Sequence, residues 1–181
     1  MRQETSPVSF RANIARLPAK GMPVVVVADE KQRESLAAIH RLISVERYRA
    51  ELLVTPWKRN GVKVSGFVKA DITQACVVTL DPVVASIREP VEGLFLPEGS
   101  KLGRQGFNAA GEIVLDADGP DSPETFSGDA IDVGALAEEF FGLAIDPYPR
   151  KAGAAVESDG QDDDAPEGVL QQKLRELSSK S

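Results

Sequence analysis

Few residues of this chain are of a type that performs catalysis or redox chemistry. The chain contains one cysteine, Cys76, and one histidine, His40, which excludes an internal disulfide and a structural zinc site of the usual kind. His40 lies beside the apolar stripe of a predicted helix, where a histidine is more often a packed or surface residue than a catalyst. We therefore expect neither redox nor zinc chemistry.

The carboxylates do not form a convincing catalytic group either. Glu138 and Glu139 are adjacent on a predicted helix, and neighbours on a helix point in different directions, so a solvated face is the better interpretation. Asp116, Asp118 and Asp121 resemble part of a calcium loop, but the required glycine and closing glutamate are misplaced. Because a hydrolase needs a base with a nucleophile or a metal cluster, we expect a protein that is not an enzyme and has no cofactor.

The basic residues are concentrated in the first part of the chain. Residues 1–70 hold 13 Lys and Arg against 6 Asp and Glu, a charge of +7, whereas residues 71–181 hold 8 against 22, a charge of −14. This asymmetry is typical of a nucleic-acid face beside an acidic region that limits indiscriminate binding. The solvated surface of an ordinary acidic protein would explain the same charges.

A predicted hairpin tip carries several of these cations. A strand from Val45 to Trp57 leads into Asn60-Gly61, a dipeptide typical of two-residue type I′ turns, and the implied register places Trp57 opposite Val64 and Leu53 opposite Val68. Lys58 would then face Lys63, which is unfavourable unless solvent or an anion separates the charges. The candidate nucleic-acid-contacting residues are Arg49, Trp57, Lys58, Arg59 and Lys63, with Trp57 available to stack on a base. Alternatively, the charges only keep the strand edge soluble.

The longest pattern in the chain predicts the strands that carry this tip. Apolar residues occupy even positions from Val62 to Leu80, which indicates a half-buried strand, and after a turn at Asp81-Pro82 they shift to odd positions. Such a long strand must bend or break, and Gly66 and Thr73-Gln74 are the expected places. We expect another break at Glu89-Pro90.

Shorter patterns complete the expected fold. We predict a strand through Val8–Ile14, a strand from Met22 to Ala28 buried on both faces, a strand at Glu112–Leu115, and helices at 29–43 and 132–145 capped by Asp29 and Asp132. The fold class is therefore α+β: a curled antiparallel sheet or partly open barrel with two packed helices.

Composition divides the chain in two. We predict a domain over residues 1–151 and an acidic disordered tail over 152–181, which ends in a short amphipathic helix with Leu170, Leu174 and Leu177. No apolar run is long enough to cross a bilayer and no signal peptide is present, so we expect a cytoplasmic protein.

Two segments, 74–83 and 128–150, resemble the signatures of the bacterial YceD family. In the first, a predicted strand containing a cysteine ends in a leucine, one residue and a proline; in the second, an Ile-Asp dipeptide opens a helix that ends in a Leu-Ala-x-x-Pro segment. The matching residues are Cys76, Leu80, Pro82, Ile131, Asp132, Leu143 and Pro147. The two signatures, in their order, place the resemblance over roughly residues 5–151.

Many members of this family carry a second cysteine three positions after the first, preceded by an arginine. Here those positions are Thr79 and Val78. A metal or redox role for two cysteines is therefore not available, and we expect Cys76 to be a small buried residue.

The resemblance implies a non-enzymatic factor in the accumulation or processing of large-subunit ribosomal RNA. The implied partner is precursor RNA or a ribosomal protein. The alternative is an adaptor for a ribosomal protein or nuclease that does not touch RNA. We expect no DNA and no membrane partner.

Overall fold

A computed structural model of the chain describes residues 5–98, 100 and 123–153, with only the backbone of Arg59 described. The predicted strand at Glu112–Leu115, the Asp116–Asp121 group and nearly all of the acidic tail lie outside the described residues. The elements are β1 Arg11–Asn13, β2 Met22–Val27, α1 Glu30–Ile39, β3 Ser44–Trp57, β4 Gly61–Ala75, β5 Pro82–Pro97, β6 Glu124–Phe126, β7 Ala130–Asp132 and α2 Val133–Leu143.

One five-stranded sheet dominates this arrangement. Its strand order is β2-β3-β4-β5-β6, and β1 pairs separately with β7. Strands β2 to β5 are antiparallel neighbours, whereas β6 runs parallel to β5. The α+β class is confirmed, and the sheet is not closed into a barrel.

The predicted register of the β3–β4 hairpin is wrong by three residues. Trp57 pairs with Gly61 and Val54 with Val64, because residues Lys58–Asn60 form a turn of 3-10 helix and Gly61 already belongs to β4. An odd shift exchanges the two faces of a strand. Val54 is accordingly buried and Leu53 is 39% exposed, and Lys58 does not face Lys63.

Strand β4 is shorter than predicted, and β5 is longer. The alternation of buried even positions is confirmed as far as Ile72, but β4 ends at Ala75 and residues 76–81 form a turn. The expected break at Pro90 is absent, and β5 continues through it. Proline is tolerated on an edge strand, and among the described residues β6 covers β5 only at Phe95–Pro97.

Gly66 is a point of close approach and not a bulge. The pairing of β3 and β4 passes Gly66 without a shift, and the irregularity lies instead between Val45 and Arg47. A Cβ atom at Gly66 would collide with the carbonyl oxygen of Glu51. The predicted break at Thr73-Gln74 does not occur before β4 ends.

The first two predicted strands also differ from expectation. Val25 and Val27 are 50% and 59% exposed, so β2 is an edge strand with one open face and is not buried on both. The first strand is limited to Arg11–Asn13, which pairs with Asp132–Ala130 of β7.

Both predicted helix caps are confirmed. The Asp29 side chain accepts from the N–H of Gln32, whose side chain accepts from the N–H of Asp29, and Asp132 accepts from the N–H of Ala135 at 2.9 Å. Helix α1 ends at Ile39, four residues earlier than predicted, and Arg41 adopts a left-handed φ of 56°.

The helices and one face of the sheet enclose the core. Helix α1 packs against β3, and α2 packs against β5 and β4. Leu36 of α1 and Phe141 of α2 join the even-numbered residues of β3 and β4 in one buried cluster. The opposite face of the sheet, here called the outer face, carries the odd-numbered residues of β3 and β4 and the even-numbered residues of β5. Among the described residues, no helix is long and apolar enough to span a membrane.

Candidate nucleic-acid interface

The centre of the outer face carries a row of three cations. Arg49 of β3 pairs with Lys69 of β4, and Lys69 pairs with Arg88 of β5. Because adjacent strands lie about 4.8 Å apart, the three Cα atoms fall within about 10 Å. All three side chains belong to exposed residues. We call Arg49, Lys69 and Arg88 the cation row.

One carboxylate partly compensates the row. Glu51 Oε1 accepts from Arg49 Nε at 2.7 Å, and Lys69 Nζ lies 4.0 Å from Glu51 Oε2. The hydrogen bond from Arg49, followed by the charges of Arg49 and Lys69, lowers the pKa of Glu51. One anion therefore serves two cations, and Arg88 forms no ion pair with a described residue.

Arg88 contacts an aromatic ring instead. Its guanidinium carbon lies 4.3 Å from the centroid of Phe67 on β4, which is within the range of a cation–π contact. Phe67 is 39% exposed although it occupies the central strand of the sheet. Arginine planes and aromatic rings are the surfaces on which proteins stack unpaired bases.

Three hydrogen-bonded polar residues, Arg47, Asp71 and Ser86, lie beside the cation row. Arg47 pairs with Asp71, and the Ser86 hydroxyl donates to Asp71 Oδ1 at 2.8 Å. The bond from Ser86 and then that from Arg47 lower the pKa of Asp71. This carboxylate is thus ionised at neutral pH and is already satisfied by its neighbours.

The residues predicted for RNA contact divide between two places. Trp57 and Lys58 lie together at the hairpin tip, where Lys58 Nζ is 5.8 Å from the Trp57 ring centroid. Lys63 lies nearby on the outer face with its Nζ 3.6 Å from Glu92. Arg49 is eight residues from Trp57 along β3, about 26 Å away. The backbone of Arg59 is in the tip, and its side chain lies outside the described part of the chain.

Sequence reasoning missed Lys69, Arg88 and Phe67. Lys69 and Arg88 align with Arg49 only through the register of three strands, and Phe67 lies two residues before Lys69 on β4. The predicted β3–β4 register was wrong. The available signal was the alternation itself, because each of these residues occupies the polar phase of its strand.

The lone histidine joins the two helices. Its Nε2 lies 3.2 Å from Glu138 Oε1, and its ring meets Phe141 edge to face at 5.1 Å between centroids. Burial raises the pKa of Glu138, but hydrogen bonds from His40 and Ser6 outweigh it and lower that pKa overall. Glu138 is therefore not on the solvated face predicted for it, whereas Glu139 is exposed.

The Cys76 segment is a turn and not the predicted strand. Leu80 has a left-handed φ of 62° and is 76% exposed. Cys76 is completely buried, as expected. The N–H of Lys151, with Thr79 and Val78, lowers the pKa of its thiol to about 6, against the effect of burial.

The two segments that were recognised separately in the sequence meet in space. Gln74 Nε2 donates to Asp146 O at 2.8 Å, the N–H of Val77 donates to Pro149 O at 2.9 Å, and the N–H of Lys151 lies 3.4 Å from the Cys76 sulfur. Lys151 Nζ also pairs with Asp81 at 3.0 Å. These residues form a structural junction between the β4–β5 turn and the segment after α2. Among the described residues, no group of three His, Cys, Asp or Glu side chains could hold a metal ion.

Comparison with known proteins identifies one family. The model of the family described as "Large ribosomal RNA subunit accumulation protein YceD" matches residues 64–177, which include both segments of the junction. The match begins in β4, later than the resemblance judged from the sequence, and extends beyond residue 151. No curated protein and no solved structure matches the chain.

Proposed function

Because the chain belongs to the YceD family, we propose that it supports the accumulation of large-subunit ribosomal RNA by binding precursor RNA directly. The observation that carries the direct contact is the exposed cations of the outer face, which lie on an otherwise acidic chain of net charge −7. Phosphate contacts from lysine and arginine supply most of the affinity of such complexes.

We propose that the protein acts by binding and not by catalysis. The His40 imidazole is packed against Phe141 and bonded to Glu138, and the Cys76 thiol is completely buried. A general base or a nucleophile must reach its substrate. The two side chains best suited to those roles are thus engaged in packing.

The experiment is ultraviolet crosslinking in growing cells, followed by purification of the tagged protein and sequencing of the attached RNA. We expect fragments of precursor large-subunit RNA to be enriched over small-subunit RNA. Depletion of the protein should lower mature large-subunit RNA relative to small-subunit RNA. If no RNA is crosslinked, direct binding is excluded.

The hairpin tip stays a candidate contact. With three or four phosphate contacts to a single strand, the logarithm of the affinity should fall with the logarithm of salt concentration with a slope of about −2 to −3. Replacing Lys58, Arg59 and Lys63 together by Ala should flatten that slope if the tip contributes. An unchanged slope would remove the tip from the interface.

The adaptor remains a second candidate, favoured by Leu80. Its exposed side chain is held at a positive φ, a conformation that costs free energy in a non-glycine residue. Leu80→Gly removes the side chain and suits the same backbone. If the parent protein shows no RNA affinity even at low salt but copurifies with a ribosomal protein or nuclease, and this variant loses that partner, the adaptor function replaces RNA binding.

A further inference from the structure

The cation row breaks a rule of sheet construction. Like charges placed directly opposite one another on neighbouring strands are destabilising, and here three of them stand in line across β3, β4 and β5. Glu51 is the only carboxylate within ion-pair distance of the row among the described residues. Local rules of this kind are broken mainly at functional sites, and an anionic ligand would remove the repulsion.

The aromatic residue beside the row points to the kind of ligand. Phe67 is exposed at the centre of the sheet and supports the guanidinium of Arg88. A guanidinium packed on a ring offers a flat, charged surface, and Phe67 itself is paired with Pro90 on β5 and with Glu51 on β3. Flat surfaces beside positive charges are what single-stranded nucleic acids require.

We propose that the centre of the outer face is a binding site for single-stranded RNA. Two adjacent phosphates contact the cation row, and an unpaired base stacks on the guanidinium of Arg88, which Phe67 holds in place. This assignment rests on the proposed function, since it takes RNA as the ligand, and it places the main contact in the middle of the sheet and not at the hairpin tip.

A single strand fits this surface better than a duplex. The bases of a duplex are stacked on one another and cannot reach a side-chain plane, whereas an unpaired base exposes its face. Charge alone would not distinguish the two, because both carry phosphates. The Phe67–Arg88 pair is therefore the feature that decides between them.

The first test measures the affinity of the purified full-length chain for a fluorescently labelled, unstructured 12-nucleotide RNA across a range of salt concentrations. Lys69→Gln with Arg88→Gln should reduce the salt slope by about 1.4, since each contact to a single strand contributes about 0.7. The matched control is Lys20→Gln with Lys31→Gln, which also removes two positive charges, from exposed residues that form no ion pair with a described residue. The control should leave the slope unchanged.

The second test separates stacking from charge. Arg88→Lys keeps the charge but removes the plane, and it should weaken binding at least about fivefold with the slope unchanged. Phe67→Leu should weaken binding in the same manner, whereas Phe67→Tyr retains a ring and should bind as the parent does. The urea midpoint of each variant verifies that it is folded. If Phe67→Leu does not fold, Phe67→Tyr and Arg88→Lys still test the stacking.

The outcomes distinguish this assignment from the proposed function. If the parent binds the RNA and the variants of the row and of Phe67 bind equally well, the site assignment is wrong while RNA binding stands, and the hairpin tip becomes the site. If the parent binds no RNA even at low salt, both the proposed RNA binding and this site assignment are wrong. If an RNA duplex binds more tightly than the single strand, the proposal that an unpaired base stacks on Arg88 is wrong.

Discussion

The seam between α1 and α2 depends on a glycine. A Cβ atom at Gly142 would lie 2.9 Å from Cε1 and 3.3 Å from Nδ1 of His40, and the ring cannot easily move because Glu138 and Phe141 hold it. Gly142→Ala should lower the free energy of unfolding by about 1–3 kcal/mol through overpacking, although alanine favours a helix over glycine by about 1 kcal/mol.

A double-mutant cycle tests the cause of that loss. In a His40→Ala background the collision is absent, and Gly142→Ala should become neutral or stabilising. Urea unfolding of the parent, the two single variants and the double variant gives the coupling free energy between His40 and Gly142. Equal effects of Gly142→Ala in both backgrounds would show that the imidazole is not the constraint.

Asp132 makes the stability depend on pH. Burial raises its pKa, but bonds from Ser9 and from the N–H groups of Ala135, Phe10 and Gly134 outweigh burial and lower that pKa below the usual value. The stabilisation by the carboxylate is therefore present above the unfolded pKa of about 3.9 and is lost as the pH falls through the lower folded value.

Asp132→Asn isolates this contribution. Asparagine caps a helix about as well as aspartate but carries no charge, so the variant should be less stable at pH 7 by about 0.5–2 kcal/mol. The difference should shrink below about pH 4. A difference in unfolding free energy that stays constant between pH 7 and pH 3 would contradict the assignment.

At the level of elements, Asn60, which ends the β3–β4 turn, and Gly61, which begins β4, are constrained in different ways. Asn60 holds the positive φ of 63°, whereas Gly61 has an ordinary φ of −74° and lacks room for a side chain, with Leu96 Cδ2 2.9 Å from its Cβ position. Gly61→Val should therefore cost about 1–3 kcal/mol through crowding and not through backbone strain. Asn60→Gly should cost little, because glycine adopts this φ freely. Urea midpoints of both variants verify the assignment, and the reverse order of stability would refute it.

Sequence reasoning located features that depend on near neighbours. The caps at Asp29 and Asp132 and the alternation in β4 involve contacts a few residues apart, and all were predicted. The register of β3 on β4 depended on one turn, and Asn-Gly favoured a two-residue loop where the chain forms a 3-10 turn. That error placed Leu53 on the buried face and concealed the cation row, since Arg49, Lys69 and Arg88 align only in the true register.

For the molecule as a whole, the position of a charged residue in the sequence does not by itself give its position on the surface. The cation row occupies the open face of the sheet, while the helices cover the other face. The charged strand residues of the outer face are the cations Arg47, Arg49, Lys63, Lys69 and Arg88 and the anions Glu51, Asp71 and Glu92. Arg88 lies in the acidic part of the sequence, residues 71–181, but the fold places it in the cation row. Counting charges along the sequence could not have predicted this position.

The pairing of β1 with β7 has a consequence for the order of events during synthesis. The N–H of Phe10 binds Asp132, 122 residues later, and the N–H of Ile14 binds Asp129 O at 2.8 Å. At about 5–20 residues per second, a ribosome needs roughly 6–24 s to make the intervening chain. Through that interval the first strand lacks its native partner, while the β2–β3 and β3–β4 pairs can already form. In refolding of the complete chain, the same separation delays this pair through the entropy of closing a long loop. In pulse-labelled refolding we therefore expect the amides of Ala12 and Ile14 to gain protection after those of Val54 and Val64, and simultaneous protection would contradict this order.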